Sequence, residues 1–126
     1  MTDTPMSIHQ TRCQQAQTEM QKQAIDLLFA SPSADLVYLV GYHTHISTRL
    51  TLFALPAEGD ALMVVPELEA PAARGVATFF PLHTWADGSD PYAQVRSLLP
   101  RTPHRIAVSD QMCSLHLLRL QATLPS

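Results

Sequence analysis

The sequence predicts an α/β domain in which a layered mixed β-sheet of about five strands is flanked by helices. Segments with helical spacing of apolar residues alternate with short apolar runs that end at turn residues, a pattern typical of layered α/β folds. Two of the apolar runs are joined by a short turn containing Gly59, which favours an antiparallel hairpin. With 126 residues, of which 46% are hydrophobic, the chain is long enough for one domain, 1–126, with its own core.

The first part of the chain predicts a helix, a strand and a second helix. Ser7 is a suitable N-cap for a helix beginning at Ile8, in which apolar residues recur at steps of three and four: Cys13, Ala16, Met20 and Ala24. The run 25–30 is bounded by turn residues and has the length of a buried strand. Ser33 then caps a short helix over 34–40, which ends at Gly41.

The middle of the chain predicts a polar loop, a hairpin and a short helix. Residues 42–49 are polar and carry two histidines, and the runs 50–55 and 61–65 are the hairpin strands. A helix over 67–74 has acidic residues in its first turn and an arginine in its last, which suits the helix dipole. Pro71 lies inside this helix and predicts a break into two turns.

The last part predicts a strand over 76–82, a turn over 84–88, and a helix over 91–99. Asp90 caps that helix, and proline occupies its first position, where a missing N–H costs nothing. A short strand over 105–108 follows. Ser109 or Asp110 then caps a final helix over 111–124.

Charge and composition exclude several classes of protein. The net charge of −3 leaves no basic surface for nucleic acid or an anionic membrane. No apolar run reaches the roughly 18 residues that a membrane span needs, and the N-terminus does not resemble a signal peptide. The cysteines, Cys13 and Cys113, are too far apart in sequence for a Cys-x-x-Cys motif, which indicates a reducing, cytoplasmic setting.

His43 and His45 form the first candidate site. On an extended segment, residues two apart point the same way, so this pair is suited to share a metal ion. A metal site needs further ligands, and none lies nearby in sequence. The pattern therefore favours an ordinary solvated loop over a metal site, and a loop that contacts a ligand is the remaining alternative.

Other polar constellations have simpler explanations. His9 and Cys13 share one helix face, either as half a metal site or as a surface histidine beside a core cysteine. Cys113 lies early in the last helix without a histidine partner, which favours packing over catalysis. The acidic turn 87–90 lacks the distal glutamate of a calcium loop, and no hydrolase, phosphate-binding or zinc-protease motif occurs.

Two apolar features, a single tryptophan and the last helix, are further candidates for contact surfaces. Trp85 is the only tryptophan and lies in a predicted loop, either at the rim of the core or at an interface. The last helix has two apolar stripes, one with Leu115 and Leu118 and another with Leu120 and Leu124. A helix that is apolar on two sides is expected to be covered on both, by a partner subunit or by a further part of a longer protein.

The chain resembles the N-terminal domain of the creatinase/prolidase/aminopeptidase P family, the Xaa-Pro peptidases. The resemblance covers nearly the whole length and rests on the order and spacing of several segments rather than on one motif. These segments are 24–28 (AIDLL), 31–42 (SPSADLVYLVGY), 49–66, 67–74 (ELEAPAAR), 85–92 (WADGSDPY), 110–112 (DQM) and 116–121 (HLLRLQ).

The resemblance implies a function that the residues alone do not. Family members cleave the bond before proline at peptide N-termini with two divalent metals, commonly manganese or cobalt, in a C-terminal pita-bread domain. That domain is absent from this chain, so no catalytic or metal-ligating residue is assigned in it. The N-terminal domain of the family supports dimerisation and shapes access to the site, often that of the neighbouring subunit. By this resemblance the residues expected to face substrate are Tyr42, His43, His45, Arg49 and Trp85.

Three hypotheses follow, of which the first two are the principal ones. In the first, the chain is the non-catalytic N-terminal domain of a cytoplasmic Xaa-Pro peptidase, with its own C-terminal catalytic domain, a homodimeric assembly and a proline-containing peptide substrate. In the second, it is a stand-alone α/β module that binds a ligand or a partner near His43, His45 and Trp85. A third, an independent metalloenzyme using the two histidines, requires an equimolar bound transition metal.

Overall fold

The computed structural model describes residues 7–124, in which helices and strands follow one another in the predicted order. The helices are α1 (Ile8–Lys22), α2 (Ala34–Val40), α3 (Ala70–Arg74), α4 (Pro91–Leu98) and α5 (Ser114–Thr123). The strands are β1 (Leu27–Ala30), β2 (Leu52–Pro56), β3 (Leu62–Pro66), β4 (Leu82–Trp85) and β5 (Ile106–Val108). The predicted fold class, a mixed five-stranded sheet flanked by helices, is confirmed.

The strands are ordered β4-β3-β2-β1-β5 across the sheet. β2 is antiparallel to both β1 and β3, whereas β5 is parallel to β1 and β4 is parallel to β3. β1, β3, β4 and β5 therefore run in one direction and end at the same edge of the sheet, which we call the carboxyl edge. β2 begins at that edge, so the loop that precedes it lies there too.

The helices cover both faces of the sheet and form two separate cores. α1, α2 and α3 pack on one face, together with Phe53 and Leu55 of β2. α4 and α5 pack on the other face, together with Leu52 and Ala54 of the same strand. Since successive side chains of a strand point to opposite faces, a strand buried on both sides reads as the continuous apolar run seen here.

The predicted helix ends are largely confirmed. The Ser7 hydroxyl accepts a hydrogen bond from the Gln10 N–H, and Ser33 does the same for Leu36. The Asp90 carboxylate accepts from the N–H groups of Tyr92 and Ala93. These contacts satisfy donors that a helix N-terminus otherwise leaves unpaired.

Two predicted elements are displaced along the chain. The strand predicted over 76–82 is instead β4, Leu82–Trp85, and the residues before it form a loop. This loop inserts Phe80 into the core, where its ring meets Phe53 edge-on with centroids 5.2 Å apart. The apolar run therefore marks a buried loop, and Pro81 precedes the strand instead of interrupting it.

The final helix is also shorter than predicted. α5 begins at Ser114 rather than at 111, and the residue at its N-cap position is Cys113, which makes no side-chain cap hydrogen bond. Ser109 and Asp110 therefore do not cap it. The predicted break near Pro71 is confirmed, because a 3₁₀ turn over Glu67–Glu69 precedes α3 and the proline lies in the first turn of α3.

Candidate functional site

The carboxyl edge of the sheet gathers the predicted site residues. The segment 42–49, which we call the histidine loop, precedes β2 at this edge. Trp85 ends β4 at the same edge, and the turn 86–90 follows it. In open α/β sheets, ligands bind in the crevice outside the carboxyl ends of the strands, so the location is one where a binding site is expected.

Glu69 anchors the first half of the histidine loop. Its carboxylate accepts hydrogen bonds from the Tyr42 hydroxyl, at 3.1 Å, and from the Thr44 hydroxyl, at 2.7 Å. Tyr42 is only 4% exposed. Burial, together with the hydrogen bond to Glu69, raises the pKa of the Tyr42 phenol above its ordinary value. Tyr42 thus serves the loop as a buried, protonated anchor.

His43 and His45 occupy the alternate positions of the same segment, and both are exposed. The alternation follows from the chain geometry, since inward anchors at 42 and 44 turn the side chains at 43 and 45 outward. The two histidines line an open groove with Ile46 of the loop, with Ser33 at the N-cap of α2 and with Val37 inside that helix. The groove presents two imidazoles beside an apolar wall.

His116 anchors the second half of the histidine loop. It lies in α5, is 2% exposed, and its Nε2 is 2.7 Å from the carbonyl oxygen of Ser47. A carbonyl oxygen only accepts, so Nε2 carries the proton. In the neutral ring, Nδ1 then accepts from the Tyr92 hydroxyl, 2.7 Å away.

Arg49 ends the loop in a paired geometry with Asp87. Its Nε and Nη2 donate to the two carboxylate oxygens at 2.9 and 3.0 Å. These hydrogen bonds, and the positive charge, hold the pKa of the Asp87 carboxyl below its ordinary value. Both side chains are largely exposed, so the pair contributes more to orientation than to stability.

Trp85 does not lie in a loop, as the sequence predicts, but is the last residue of β4. It is 8% exposed, and its indole N–H donates to the carbonyl oxygen of Leu50 at 2.9 Å. The ring packs in the core formed with α4 and α5. The indole nitrogen of Trp85 is therefore hydrogen-bonded to the backbone directly after the histidine loop.

The structure therefore brings all five predicted site residues to one edge but divides them by exposure. His43, His45 and Arg49 reach the surface, whereas Tyr42 and Trp85 are buried beneath it. The partners Glu69, Asp87 and His116 were not predicted from the sequence. The burial of His116 could have been predicted from the sequence, because His116 lies four residues before Leu120 and therefore on the same buried stripe of α5.

The remaining candidates have structural roles. Cys13 is buried against α2, and burial raises the pKa of its thiol to about 11. His9 lies within hydrogen-bond distance of the Tyr38 carbonyl oxygen through Nδ1, and Cys113 is half-buried. Across residues 7–124, no group of three or more His, Cys, Asp or Glu side chains is placed to hold a metal ion. The same part of the chain contains no helix with the length and apolar character of a membrane span.

Comparison with known proteins extends these observations. A protein of Mycobacterium tuberculosis named "Probable dipeptidase PepE" is 38% identical over 96 residues, which are 74% of this chain and 26% of the relative. The crystal structure of dipeptidase PepE from Mycobacterium ulcerans superposes with a TM-score of 0.85 at 33% identity, and covers 93% of this chain and 32% of that one. The chain thus spans about a quarter to a third of these relatives.

A solved structure of similar extent shares the fold. The N-terminal domain of Xaa-Pro dipeptidase from Lactobacillus brevis superposes with a TM-score of 0.83 at 18% identity, over 91% of this chain and 89% of that one. The model of the creatinase/prolidase N-terminal domain family matches residues 12–126. The resemblance noted in the sequence is confirmed, and the chain belongs to the creatinase/prolidase N-terminal domain family.

Proposed function

We propose that this chain is the non-catalytic N-terminal domain of a metal-dependent Xaa-Pro peptidase of the aminopeptidase P or prolidase type, and that it supports oligomerisation and substrate access. The family match and the dipeptidases among its relatives support the proposal. The observation that carries it is the histidine loop. Two exposed imidazoles project from a segment fixed to the fold on both sides.

The histidine loop is suited to contact a peptide near an active site supplied elsewhere. Imidazoles donate or accept hydrogen bonds, and they therefore complement the carbonyl, amino and carboxylate groups of a short proline-containing peptide. Arg49 already pairs with Asp87 through Nε and Nη2, so its Nη1 is the donor that it offers to a peptide. Tyr42 and Trp85 support this surface from below. Because binding residues are often carried by loops that a rigid scaffold holds in place, the geometry suits the selection of substrates.

The hydrolytic step is assigned to the chain's C-terminal catalytic domain, where the family resemblance implies two divalent manganese or cobalt ions. The described residues of this chain do not fit such a centre, since they offer no cluster of metal-ligating side chains. We therefore assign no catalytic residue and no metal ligand here, and we derive no step of the reaction from this domain.

Homodimerisation in the cytoplasm forms part of the same proposal. Leu115 and Leu118 of α5 are 39% and 63% exposed, while the opposite side of that helix is buried. Exposed large apolar side chains on one helix are a feature of protein interfaces. This apolar surface is suited to contact a second subunit, and a contact with the chain's own catalytic domain is the alternative.

The proposal is tested first with the purified chain and Xaa-Pro dipeptides in the presence of manganese. No turnover is expected, and turnover that persists through repurification would contradict the proposal. The source gene is then sequenced beyond Ser126. The expected frame continues into a domain with spaced Asp, His and Glu ligands. A stop codon directly after Ser126 would instead favour the stand-alone binding module.

In the full-length protein, the variant His43→Ala/His45→Ala tests substrate access. Each lost hydrogen bond is worth roughly 0.5–1.5 kcal/mol, so KM is expected to rise by about twofold to thirteenfold per contact while kcat changes little. His104→Ala is the matched control, because His104 is also exposed but precedes β5 at the opposite edge of the sheet. An unchanged KM in the double variant would remove the loop from substrate access.

A further inference from the structure

We propose that His116 is the positioning residue of the histidine loop, and that it acts through the proton on Nε2. The inference rests on the proposed function for its biological meaning, because the loop matters only if His43 and His45 contact a ligand. Its structural part stands on the geometry alone. A buried imidazole in α5 makes a hydrogen bond to the loop backbone at Ser47.

The position of Ser47 explains why this hydrogen bond matters. Glu69 holds the loop at Tyr42 and Thr44, and His116 holds it at Ser47. His45 and Ile46 lie between these anchors, and both are exposed. Without the second anchor, the exposed half of the loop is tied only through Thr44 and through the solvent-exposed pair of Arg49 with Asp87.

The chemistry of the site requires a side chain with two different nitrogen atoms. The Ser47 carbonyl needs a donor, and the Tyr92 hydroxyl donates its proton to an acceptor. A neutral imidazole protonated on Nε2 supplies both. Tyr92 lies in α4 and is partly buried, and its hydroxyl fixes the orientation of the ring. The two helices on this face of the sheet thereby set the backbone of a loop at its edge.

Two substitutions separate the donor from the acceptor. In His116→Gln, the amide nitrogen lies near the position of Nε2 and keeps the donor for Ser47. In His116→Asn, the shorter side chain places its oxygen near the position of Nδ1, so it keeps the acceptor for Tyr92 and loses the donor. Both variants remove the ring. The Gln variant is therefore the control for lost packing.

The readout is backbone ¹⁵N relaxation of residues 43–48 in the 126-residue chain. Order parameters near 0.85 mark rigid backbone, and values below about 0.6 mark flexible backbone. We expect rigid values in the wild type and in His116→Gln, and flexible values in His116→Asn. A rigid loop in the Asn variant would overturn the proposal. Equal loosening in both variants would also overturn it, because the cause would then be the missing ring.

A measurement on the wild type covers the case in which a variant does not fold. Histidine labelled with ¹⁵N shows which ring nitrogen carries the proton, and the His116 signal is expected to show protonated Nε2. A neutral ring protonated only on Nδ1 would overturn the proposal. In the full-length peptidase, His116→Asn is then expected to raise KM while His116→Gln does not. A released loop without a change in KM would retain the positioning role but contradict the proposed function.

Discussion

At the scale of single residues, Gly41 connects the end of α2 to the start of the histidine loop. It has a φ of 77°, in the left-handed region, which costs other residues roughly 1–2 kcal/mol. A Cβ at this position would lie 2.7 Å from Nε2 of His9. The glycine thus permits both a backbone conformation and a close approach of α1.

We predict that Gly41→Ala destabilises the chain by more than backbone strain alone. The His9 ring must move, which disrupts its contact with the Tyr38 carbonyl and adds roughly 0.5–1.5 kcal/mol. Urea denaturation of Gly41→Ala in the wild type and in a His9→Ala background measures the two contributions, because the backbone strain is equal in both. An equal loss in the two backgrounds would show that His9 does not restrict position 41.

Asp26 performs a similar local task at the opposite edge of the sheet. Its carboxylate accepts hydrogen bonds from the backbone N–H groups of Arg105, at 3.0 Å, and His104, at 2.7 Å. These contacts join the start of β1 to the segment that enters β5. They also lower the pKa of the Asp26 carboxyl below its ordinary 3.8.

The lowered pKa of Asp26 predicts a specific dependence of stability on pH. Because the folded state favours the ionised carboxylate, its contribution is present above pH 3.8 and is lost as the pH falls through the lower pKa of the folded state. Asp26→Asn cannot titrate. The urea midpoints of wild type and variant are therefore expected to differ most near pH 7 and to converge as the pH falls below the pKa of the folded state. A difference that does not change with pH would contradict this role.

At the scale of secondary-structure elements, β1 and β5 are joined beyond their backbone ladder by two buried serines. The Ser109 hydroxyl accepts from the Ser31 N–H at 3.2 Å and lies 3.1 Å from the Ser31 hydroxyl. Both residues are at most 5% exposed. The pair therefore satisfies polar groups where water is excluded.

We expect Ser109→Ala to cost about 1–3 kcal/mol, because it leaves a buried donor of Ser31 without a partner. Ser97→Ala is the matched control, since the Ser97 hydroxyl also makes a hydrogen bond to the backbone, as a donor to the Gln94 carbonyl, but is exposed on α4. The control is expected to lie within about 0.5 kcal/mol of wild type. Equal effects in thermal unfolding would mean that burial of the serine pair is unimportant.

The element boundaries show what sequence patterns do and do not predict. Helix starts were predicted at Ile8, Ala34 and Pro91 because caps act locally. The prediction of a strand over 76–82 was wrong. The apolar run there is buried because Phe80 packs against Phe53, and its residues before Leu82 do not pair as a strand. A local pattern records that a segment is apolar, but it does not record which neighbour buries it.

Only part of the site was predicted, because a local pattern does not show which distant residues meet. The alternating segment from Tyr42 to His45 lies at the expected place, because a polar loop between a helix and a hairpin is visible in the sequence. Glu69 and His116 were missed because their partners lie 25 or more residues away. Likewise, nothing local indicated that Trp85 would bind the carbonyl of Leu50.

At the scale of the whole molecule, the sheet divides the chain into two cores. Cys13 lies in the core beneath α1, α2 and α3, whereas Trp85 lies in the core beneath α4 and α5. β2 contributes to both and joins them through one backbone. For a single domain of this size, unfolding is expected to be cooperative.

We predict that probes in the two cores report the same unfolding midpoint. Trp85 is the only tryptophan, so its fluorescence follows one core. In a Cys113→Ser variant, modification of the Cys13 thiol by a thiol reagent follows the other core. The thiol reacts slowly in the folded state, because its pKa there is about 11 instead of 9.0 and the thiolate is the reactive form. Urea titrations with both probes are expected to coincide. Separate midpoints would show that the two sides of the sheet unfold independently.

The alternation within the histidine loop has a consequence for how its length can vary. Tyr42 and Thr44 share one carboxylate on the inner side, and His43 and His45 face outward. Insertion of one residue would exchange the inner and outer sets and direct the imidazoles toward the protein. Insertion of two residues would preserve the parity and extend the loop outward. Engineered libraries that lengthen this segment should therefore vary it by even numbers of residues.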